Sequence, residues 1–515
     1  MAALFEHGLF AHVVVLITLF LFSPGFCVSP SSTRPNILIV FADDLGYGDL
    51  SCYGHPTSES PNIDKLAAEG LLFTQFYSAN SVCSPSRAAL LTARLPPRTG
   101  VWPDVLRPSS TGGLPHSETT IAALLKPLGY TTGMVGKWHL GVGKNQTYLP
   151  SNHGFDSYYG IPYSTDMCPC LKCFYPADPC WDTCDTRFTS CPIFQNSTIV
   201  EQPADYTTIA QKYSMEGRNF IARNAKSGKP FFLYYATQHT HFPNFAGKQF
   251  RNSTRRGAFG DSLAELDWEV GQLLEELKLQ NLEKNTFVFF TSDNGPSLFY
   301  QVRGGMAGLL KCGKGTTYEG GQRVPAIAYW PGKIQPGRTR ELASTLDLLP
   351  TIVNLVNGTL PEVTLDGYDI RSILFQRSKS PREVFYYFYS QMSPKYGVYA
   401  IRYKQFKAHF YTQGYILSGL FNHDGDCRPT AARTEQNPPL LFNLDEDPSE
   451  AYNLGNDPEY TDVLNEIGEI KQQFEAGLVW RESEINKPKD PSVEPCCNPG
   501  CHPFPTCCSC TKFGT

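Results

Sequence analysis

The sequence lacks the features that mark membrane-spanning and nucleic-acid-binding proteins. After the first 27 residues, no apolar run is long enough to cross a bilayer. Lysine and arginine are spread along the chain and the formal net charge is −5, so nothing indicates binding to nucleic acid. Internal repeats and low-complexity tracts are also missing. With 13% aromatic residues, 43 Gly and 40 Pro, the composition is that of a compact, loop-rich globular protein.

The N-terminus carries an apolar run, VVVLITLFLF, at residues 13–22. This run is too short to span a membrane, and the small residues after it are typical of a cleavage site, although no Lys or Arg precedes it. We therefore predict a cleavable signal peptide over residues 1–27. A secretory route also suits the glycosylation sequons, which lie at Asn145, Asn196, Asn252 and Asn357.

Most of the 17 cysteines fall into two clusters. In an oxidising secretory compartment such clusters favour disulfides over zinc sites. Without Cys27, which lies in the predicted signal peptide, an even number remains, and this parity would allow Cys83 to pair with a residue such as Cys52. The clusters are Cys168, Cys170, Cys173, Cys180, Cys184 and Cys191 in the first, and Cys496, Cys497, Cys501, Cys507, Cys508 and Cys510 in the second.

Four apolar segments have the pattern of strands buried on both faces of a parallel sheet. Helical patterns lie between them at 60–70, 86–95, 118–129 and 261–280, the first with Ser60 as its N-cap. The sequence therefore predicts an α/β fold with a large, mostly parallel sheet between helices. Each segment ends in polar residues, at the edge where such sheets bind ligands. The segments are 36–42, 130–141, 229–242 and 285–295.

The sequence pattern changes near residue 376. Short alternating segments, typical of an antiparallel sheet, are followed by a helical pattern at 459–477 and the cysteine-rich tail. We predict a main α/β domain over residues 34–375 and a smaller domain over residues 376–515.

Acidic residues at two strand ends predict a metal site. Asp43 and Asp44 follow the first segment, and Asp293 and Asn294 follow the last. Adjacent buried carboxylates repel each other and need a cation or solvent. Because all four side chains offer oxygen, the set favours Ca²⁺ or Mg²⁺ over zinc.

The other strand ends carry groups suited to an anion. Lys137 and His139 are two residues apart, so on an extended strand they would face the same side. His239 and His241 are also two apart, and one of them is expected to be a packed or orienting histidine. Lys314 lies in a glycine-rich loop, where a lysine can reach an anion.

Cys83 lies where a helix is predicted to begin. Pro85 suits a first helical turn, whose free N–H groups favour an anion, and Arg87 adds a fixed positive charge. Together with the strand-end residues, this arrangement predicts a site for a tetrahedral oxyanion ester, either phosphate or sulfate. A thiolate would be a plausible nucleophile there, but it suits an oxidising lumen poorly.

Several motifs resemble the sulfatase family. The segment CSPSR at 83–87, followed by AALLTARL, resembles the first sulfatase signature, and GKWHLG at 136–141 resembles the second. FADDLGYGDLSCYGHP, THFP, LLKCGKGTTYEGG and the tail are most similar to lysosomal arylsulfatases of this family. The resemblance covers residues 34–510. It implies an alkaline-phosphatase-like (sulfatase) fold, with the catalytic domain at 34–375, and hydrolysis of sulfate esters such as cerebroside 3-sulfate.

The resemblance also implies roles for individual residues. Cys83 would be converted to formylglycine by a generating enzyme in the endoplasmic reticulum and would then act as the nucleophile. One Ca²⁺ would be held by residue 83 together with Asp43, Asp44, Asp293 and Asn294. Arg87 and Lys137 would support the formylglycine, His139 would act as base, and the sulfate would contact Lys137, Ser164, His241 and Lys314.

The resemblance changes which cysteines are expected to form disulfides. It implies a Cys312–Cys427 disulfide and a free Cys52, with further disulfides in both clusters whose connectivity stays open. The additional pair Cys168 and Cys191 departs from the family pattern beside the predicted pocket and leaves substrate details open. The remaining implied disulfide cysteines are Cys170, Cys173, Cys180, Cys184, Cys496, Cys497, Cys501, Cys507, Cys508 and Cys510.

The family further implies a lysosomal or secreted protein that forms dimers or larger homo-oligomers and receives its lipid substrate from an activator protein. Three alternatives stay open at this point. The first is another sulfatase, acting on sulfated hexosamine of glycosaminoglycans. The second is a phosphatase or phosphodiesterase of the same superfamily, although those enzymes use Ser or Thr with two zinc ions. The third is an inactive secreted binding protein.

Overall fold

The computed structural model describes residues 34–168 and 187–511. The predicted signal peptide and Cys170, Cys173, Cys180 and Cys184 lie outside the described residues. Among the described residues, no helix is both long and apolar enough to cross a bilayer. The four sequons have exposed asparagines, and their glycosylation stays a prediction.

Seventeen strands and ten α-helices make up the described chain. The strands are β1 Asn36–Ala42, β2 Leu71–Phe73, β3 Phe76–Tyr77, β4 Thr131–Gly136, β5 Ser157–Gly160, β6 Ile193–Gln195, β7 Thr198–Gln202, β8 Phe231–Ala236, β9 Thr286–Ser292, β10 Ala326–Tyr329, β11 Gly337–Thr339, β12 Ala343–Ser344, β13 Val384–Tyr387, β14 Ala400–Tyr403, β15 Phe406–Thr412, β16 Thr434–Asn443 and β17 Cys510–Thr511. The helices are α1 Pro61–Glu69, α2 Cys83–Thr92, α3 Pro96–Thr99, α4 Ile121–Leu125, α5 Ile209–Ser227, α6 Gly257–Leu279, α7 Glu319–Gln322, α8 Leu348–Leu355, α9 Arg371–Gln376 and α10 Thr461–Ala476.

The four predicted strands are β1, β4, β8 and β9, and they lie side by side. The order in the large sheet is β11-β2-β10-β9-β1-β8-β4-β5-β6-β7-β17. β1 pairs in parallel with both β8 and β9, and β4 pairs in parallel with β8. Every residue of β1, β8 and β9 is buried, so both faces of the sheet are covered. The predicted α/β class is confirmed.

Most predicted helices are present, and the start of α1 differs from its expected form. Ser60 was expected to cap this helix, but its hydroxyl donates to Asp64 at 3.3 Å instead. The backbone N–H groups of Asn62 and Ile63, at the start of the helix, donate to the carboxylate of Asp267 on α6, at 3.1 and 2.8 Å. The cap therefore comes from a residue about 200 positions away, which a local pattern cannot reveal.

A second sheet follows in the chain, with the order β13-β14-β15-β16 and antiparallel pairing throughout. It matches the antiparallel pattern predicted after residue 376, while the domain boundary itself stays a prediction. The implied Cys312–Cys427 disulfide is present, as is a Cys168–Cys191 disulfide. The tail contains three more, Cys496–Cys508, Cys497–Cys510 and Cys501–Cys507.

Candidate active site

The carboxyl ends of β1, β4, β8 and β9 meet at one edge of the sheet. Asp44 leaves β1 with a φ of 57°, which turns the chain, and its backbone N–H donates to Oδ1 of Asp293 at 3.1 Å. The turn after β4 needs Gly136, whose φ is 105° and where a Cβ atom would lie 1.9 Å from the carbonyl oxygen of Ala236. This turn sends Lys137 into the same space as the acids.

The acidic cluster fits a hard cation. Asp43, Asp44, Cys83 and His241 each place one potential ligand atom within 4.8 Å of the others. Oδ2 of Asp44 and Oδ1 of Asn294 are buried and accept no hydrogen bond, although buried polar atoms are normally paired. Carboxylate and amide oxygens of this kind are the ligands that Ca²⁺ prefers.

Asp293 is held differently from the other acids. Its Oδ2 accepts from Arg87 at 2.8 and 3.1 Å, and its Oδ1 accepts from the backbone of Asp44. Burial and the neighbouring Asp43 raise the pKa of Asp293. Its carboxylate thus orients both Arg87 and the turn that carries Asp44.

Two lysines and Arg87 balance the acids. Nζ of Lys137 lies 2.6 Å from Oδ2 of Asp43, 3.5 Å from Sγ of Cys83 and 3.3 Å from Oγ of Ser164. Nζ of Lys314 lies 2.5 Å from Oδ1 of Asp44 and 3.4 Å from the same Sγ. Burial alone would lower the pKa of Lys314, but Asp44 holds it well above its usual value. Both ammonium groups are therefore charged beside residue 83.

Cys83 is the first residue of α2, as predicted, and is buried at the centre of these charges. Cys52 and Cys83 are the cysteines outside disulfides in the described part of the chain, so the alternative of a bond between them is not realised. Burial and Asp293 raise the pKa of the Cys83 thiol, against the opposing effect of Lys137 and Lys314. An unmodified thiolate nucleophile is therefore disfavoured.

His139 reaches the site by a different route from the one predicted. β4 ends at Gly136, and His139 has a φ of 57°, so it is not on an extended strand with Lys137 and the same-face argument was wrong. Its Nε2 donates to the carbonyl oxygen of Leu106 at 2.9 Å, which leaves Nδ1 unprotonated, buried and without a partner. Burial and Lys137 keep the pKa of His139 well below its usual value. It is thus a neutral acceptor in the cavity that contains Cys83.

The two histidines after β8 have separate environments. His239 contacts Oγ of Ser262 at 2.9 Å and Oε2 of Glu265 at 3.1 Å, so it is the packed histidine of the pair. Nε2 of His241 faces the site, 3.5 Å from Oγ of Ser164 and 3.6 Å from Oδ2 of Asp44.

The site opens into a cavity of about 220 Å³. Sequence reasoning missed the residues on its outer wall, because they come from loops whose patterns carry no signal of their own. Among them, Asp166 was also missed, although it lies only two residues after Ser164, which the family resemblance did identify. The missed lining residues include Asp104, Val105, Arg107, Asp166, Tyr300 and Tyr415.

Three buried carboxyl groups, those of Glu269, Asp49 and Asp267, contribute to stability in a way that depends on pH. Burial raises the pKa of Glu269, which accepts from Tyr235 at 2.7 Å and Thr237 at 2.8 Å, to about 7. Burial likewise raises the pKa of Asp49 and Asp267 to about 6. Each of these three carboxyl groups binds more protons in the folded protein than in the unfolded chain between its usual pKa and its raised one, so its contribution to the free energy of unfolding falls as the pH rises through that range. Against the effect of burial, a hydrogen bond with Glu265 raises the pKa of His239, which acts in the same direction. Burial lowers the pKa of His139, His153 and His409, and these histidines act in the opposite direction.

We therefore expect the unaltered protein to gain stability relative to Glu269→Gln between pH 7.5 and pH 5, by on the order of 2 kcal/mol, because every other titrating group is common to both proteins. Thermal denaturation of both proteins at the two pH values measures this gain. An unchanged pH dependence in that variant would contradict the assignment.

Comparison with known proteins places this geometry in a family. Residues 35–359 match the sulfatase domain, and residues 380–510 match the C-terminal region of aryl-sulfatase. Arylsulfatase A of Homo sapiens is 48% identical over 483 residues, covering 92% of this chain and 95% of that protein. Arylsulfatase A of Bos taurus is 48% identical over 490 residues, covering 94% and 96%.

Solved structures agree with the sequence matches. The crystal structure of PsFucS1 sulfatase from Pseudoalteromonas sp. is similar with a TM-score of 0.75 at 29% identity, covering 86% of this chain and 90% of that one. The chain belongs to the sulfatase family and is a sulfuric ester hydrolase of the arylsulfatase type.

Proposed function

We propose that the enzyme hydrolyses the sulfate ester of a glycolipid such as cerebroside 3-sulfate, using a formylglycine formed from Cys83 and one bound Ca²⁺. The observation that carries the proposal is the position of Cys83 between the ammonium groups of Lys137 and Lys314, 3.5 and 3.4 Å from its sulfur. The glycolipid part rests on the resemblance of the motifs to lysosomal arylsulfatases. A lysosomal location, homo-oligomers and a lipid-presenting activator protein are proposed on the same ground.

The residues that would hold the metal are Asp43, Asp44, Asp293 and Asn294 with residue 83. The unpaired oxygens of Asp44 and Asn294 support this assignment. When present, the hydrated aldehyde would supply two hydroxyls on one carbon, the first as a nucleophile and the second for the release of sulfate, and Ca²⁺ would supply positive charge.

The chain's own residues would bind and orient the ester. Lys137 and Lys314 hold the sulfate oxygens, and Ser164, 3.3 Å from Nζ of Lys137, adds a hydroxyl donor. Nδ1 of His139 is a free acceptor and is suited to take the proton that drives release of sulfate. His241, between Ser164 and Asp44, is placed to give a proton to the leaving alcohol.

The test is substrate-specific turnover by the full chain secreted from eukaryotic cells, which perform the Cys83 modification. Release of inorganic sulfate is measured from cerebroside 3-sulfate in detergent, from N-acetylgalactosamine 6-sulfate and from 4-nitrophenyl sulfate, and release of phosphate from 4-nitrophenyl phosphate. We expect the aryl sulfate and the glycolipid to be hydrolysed and the glycolipid to exceed the hexosamine sulfate in kcat/KM. Preference for the hexosamine sulfate would overturn the glycolipid assignment, and preference for the phosphate ester would overturn the sulfatase mechanism.

A further inference from the structure

One wall of the active-site cavity is a fixed turn formed by Ser164, Thr165, Asp166 and Met167. The N–H of Met167 donates to the carbonyl oxygen of Ser164 at 3.1 Å, and the hydroxyl of Tyr206 donates to the carbonyl oxygen of Thr165 at 3.2 Å. The next residue, Cys168, is bonded to Cys191. The turn therefore holds Ser164, which contacts Lys137 and His241, and Asp166 in fixed relative positions.

Asp166 brings a negative charge to a site built for an anion. Its side chain lines the same cavity as Cys83, and its Oδ1 is buried and accepts no hydrogen bond. Burial would raise the pKa of this carboxyl, but His241 and Ser164 hold it below its usual value. The group is therefore an ionised carboxylate, which accepts hydrogen bonds and donates none.

A sulfate group cannot satisfy this carboxylate, because its oxygens are acceptors and carry negative charge as well. A hydroxyl on the alcohol part of the ester can supply the missing donor, because that part would occupy the cavity that Asp166 lines. A buried carboxylate oxygen without a donor is costly, so a substrate that supplies an O–H to Oδ1 gains over one that does not. A second anionic group at that position would be repelled.

We infer that Asp166 is a specificity-determining residue that accepts a hydrogen bond from a hydroxyl adjacent to the sulfate ester, and so selects uncharged sugar or polyol sulfates over esters with a second neighbouring anion. The inference rests on the proposed function, which places the sulfate between Lys137 and Lys314. It adds the chemistry required of the leaving group.

The cavity offers a matched control in Asp104. This carboxylate lines the same cavity, but it is already paired, with its Oδ2 3.7 Å from Nη2 of Arg107, and both side chains are about one-third exposed. Because Asp104 has a cation and solvent, it has no need of a donor from the substrate.

The experiment compares methyl galactoside 3-sulfate with its 2-deoxy and 4-deoxy analogues, each lacking one hydroxyl next to the ester. For the unaltered enzyme, one of the two analogues should lose roughly 10- to 100-fold in kcat/KM, the effect of removing a hydrogen bond to a charged group. In Asp166→Asn this discrimination should shrink to a few-fold, and relative activity on the 2,3-disulfate should rise. In Asp104→Asn the discrimination should persist.

The outcomes separate the inference from the proposed function. If the unaltered enzyme hydrolyses the 3-sulfate and both deoxy analogues equally well, or if Asp166→Asn keeps the full discrimination, the role of Asp166 is wrong. An equal loss of discrimination in Asp104→Asn would indicate a general charge effect and would also overturn it. If no sulfate ester is hydrolysed at all, the proposed function fails. The comparison of analogues on the unaltered enzyme remains decisive even if Asp166→Asn does not fold.

Discussion

Replacement of Cys83 with alanine is expected to reduce kcat on 4-nitrophenyl sulfate by at least about 10⁴-fold, the scale of losing a covalent nucleophile. The fold should survive, because Cys83 is the first residue of α2 and forms no disulfide. Alanine is also a good helix former, and only one sulfur atom is removed from the interior. Unchanged thermal denaturation with abolished turnover would therefore locate the effect in the chemistry.

The other free cysteine in the described chain provides the control. Cys52 precedes α1 in the chain and is partly exposed. Its backbone N–H donates to Asp64, within α1, at 3.0 Å. Cys52→Ala should keep kcat within about twofold, since surface substitutions away from a site have small effects. Full turnover by Cys83→Ala would contradict the nucleophile assignment.

A serine at position 83 tests the aldehyde itself. Its single hydroxyl can attack the ester and expel the alcohol, but it has no second hydroxyl with which to release the sulfate. We expect the intact mass of Cys83→Ser, after incubation with substrate, to include a covalently bound sulfate. In the unaltered enzyme, mass spectrometry of the peptide around residue 83 should find an aldehyde. A plain thiol in active enzyme, or steady turnover by the serine variant, would exclude the mechanism.

The main sheet and the centre of the site were predictable because both depend on short-range patterns. A strand buried on two faces must be a continuous apolar run, and parallel neighbours must end at the same edge. Asp43, Lys137, His241 and Asp293 follow such runs, so their meeting needs no tertiary information beyond the sheet itself. Cys83, the fifth residue of the site, was identified from the sulfatase signature that surrounds it.

The errors and omissions share a long-range cause. His139 was assigned to the face of a strand that had already ended, because a turn at Gly136 depends on the approach of Ala236 from the neighbouring strand. The cap of α1 comes from Asp267, far along the chain. Asp166 and Asp104 carry no pattern at all, and only the packing of loops gives their carboxylates different partners. Substrate specificity depends on this outer wall, so the sequence predicted the chemistry better than the choice of substrate.

Removal of the charge at Lys314 is expected to have the second-largest effect on catalysis. Lys314→Met should lower kcat/KM by roughly 10²- to 10³-fold, the usual loss for one group that stabilises charge developing in the transition state. The same ammonium group lies 2.5 Å from Asp44, so the substitution also leaves a buried carboxylate without its partner. Breaking such a buried pair destabilises a protein by about 3–5 kcal/mol, and the denaturation midpoint should fall as well.

A substitution at Lys311 is the control that distinguishes the effect of the Lys314 charge from a disturbance of the loop that carries both lysines. It lies three residues earlier in the chain, but its ammonium group points away from the site, 3.0 and 2.9 Å from Asp424 and Asp426. Lys311→Met should therefore leave kcat/KM within about twofold, since Lys311 does not line the active-site cavity. Equal losses in the two variants would assign the effect to the loop.

The destabilisation of Lys314→Met would by itself lower the amount of active enzyme, so a binding measurement is needed to isolate the electrostatic role. Inorganic sulfate resembles the group that Lys314 is proposed to hold, and its inhibition constant is independent of how much of the protein is folded. That constant should increase in Lys314→Met, while Lys314→Arg, which keeps the charge, should lie between the variant and the unaltered enzyme. If the inhibition constant for sulfate is unchanged while activity falls, Lys314 stabilises the acidic cluster and does not bind the ester.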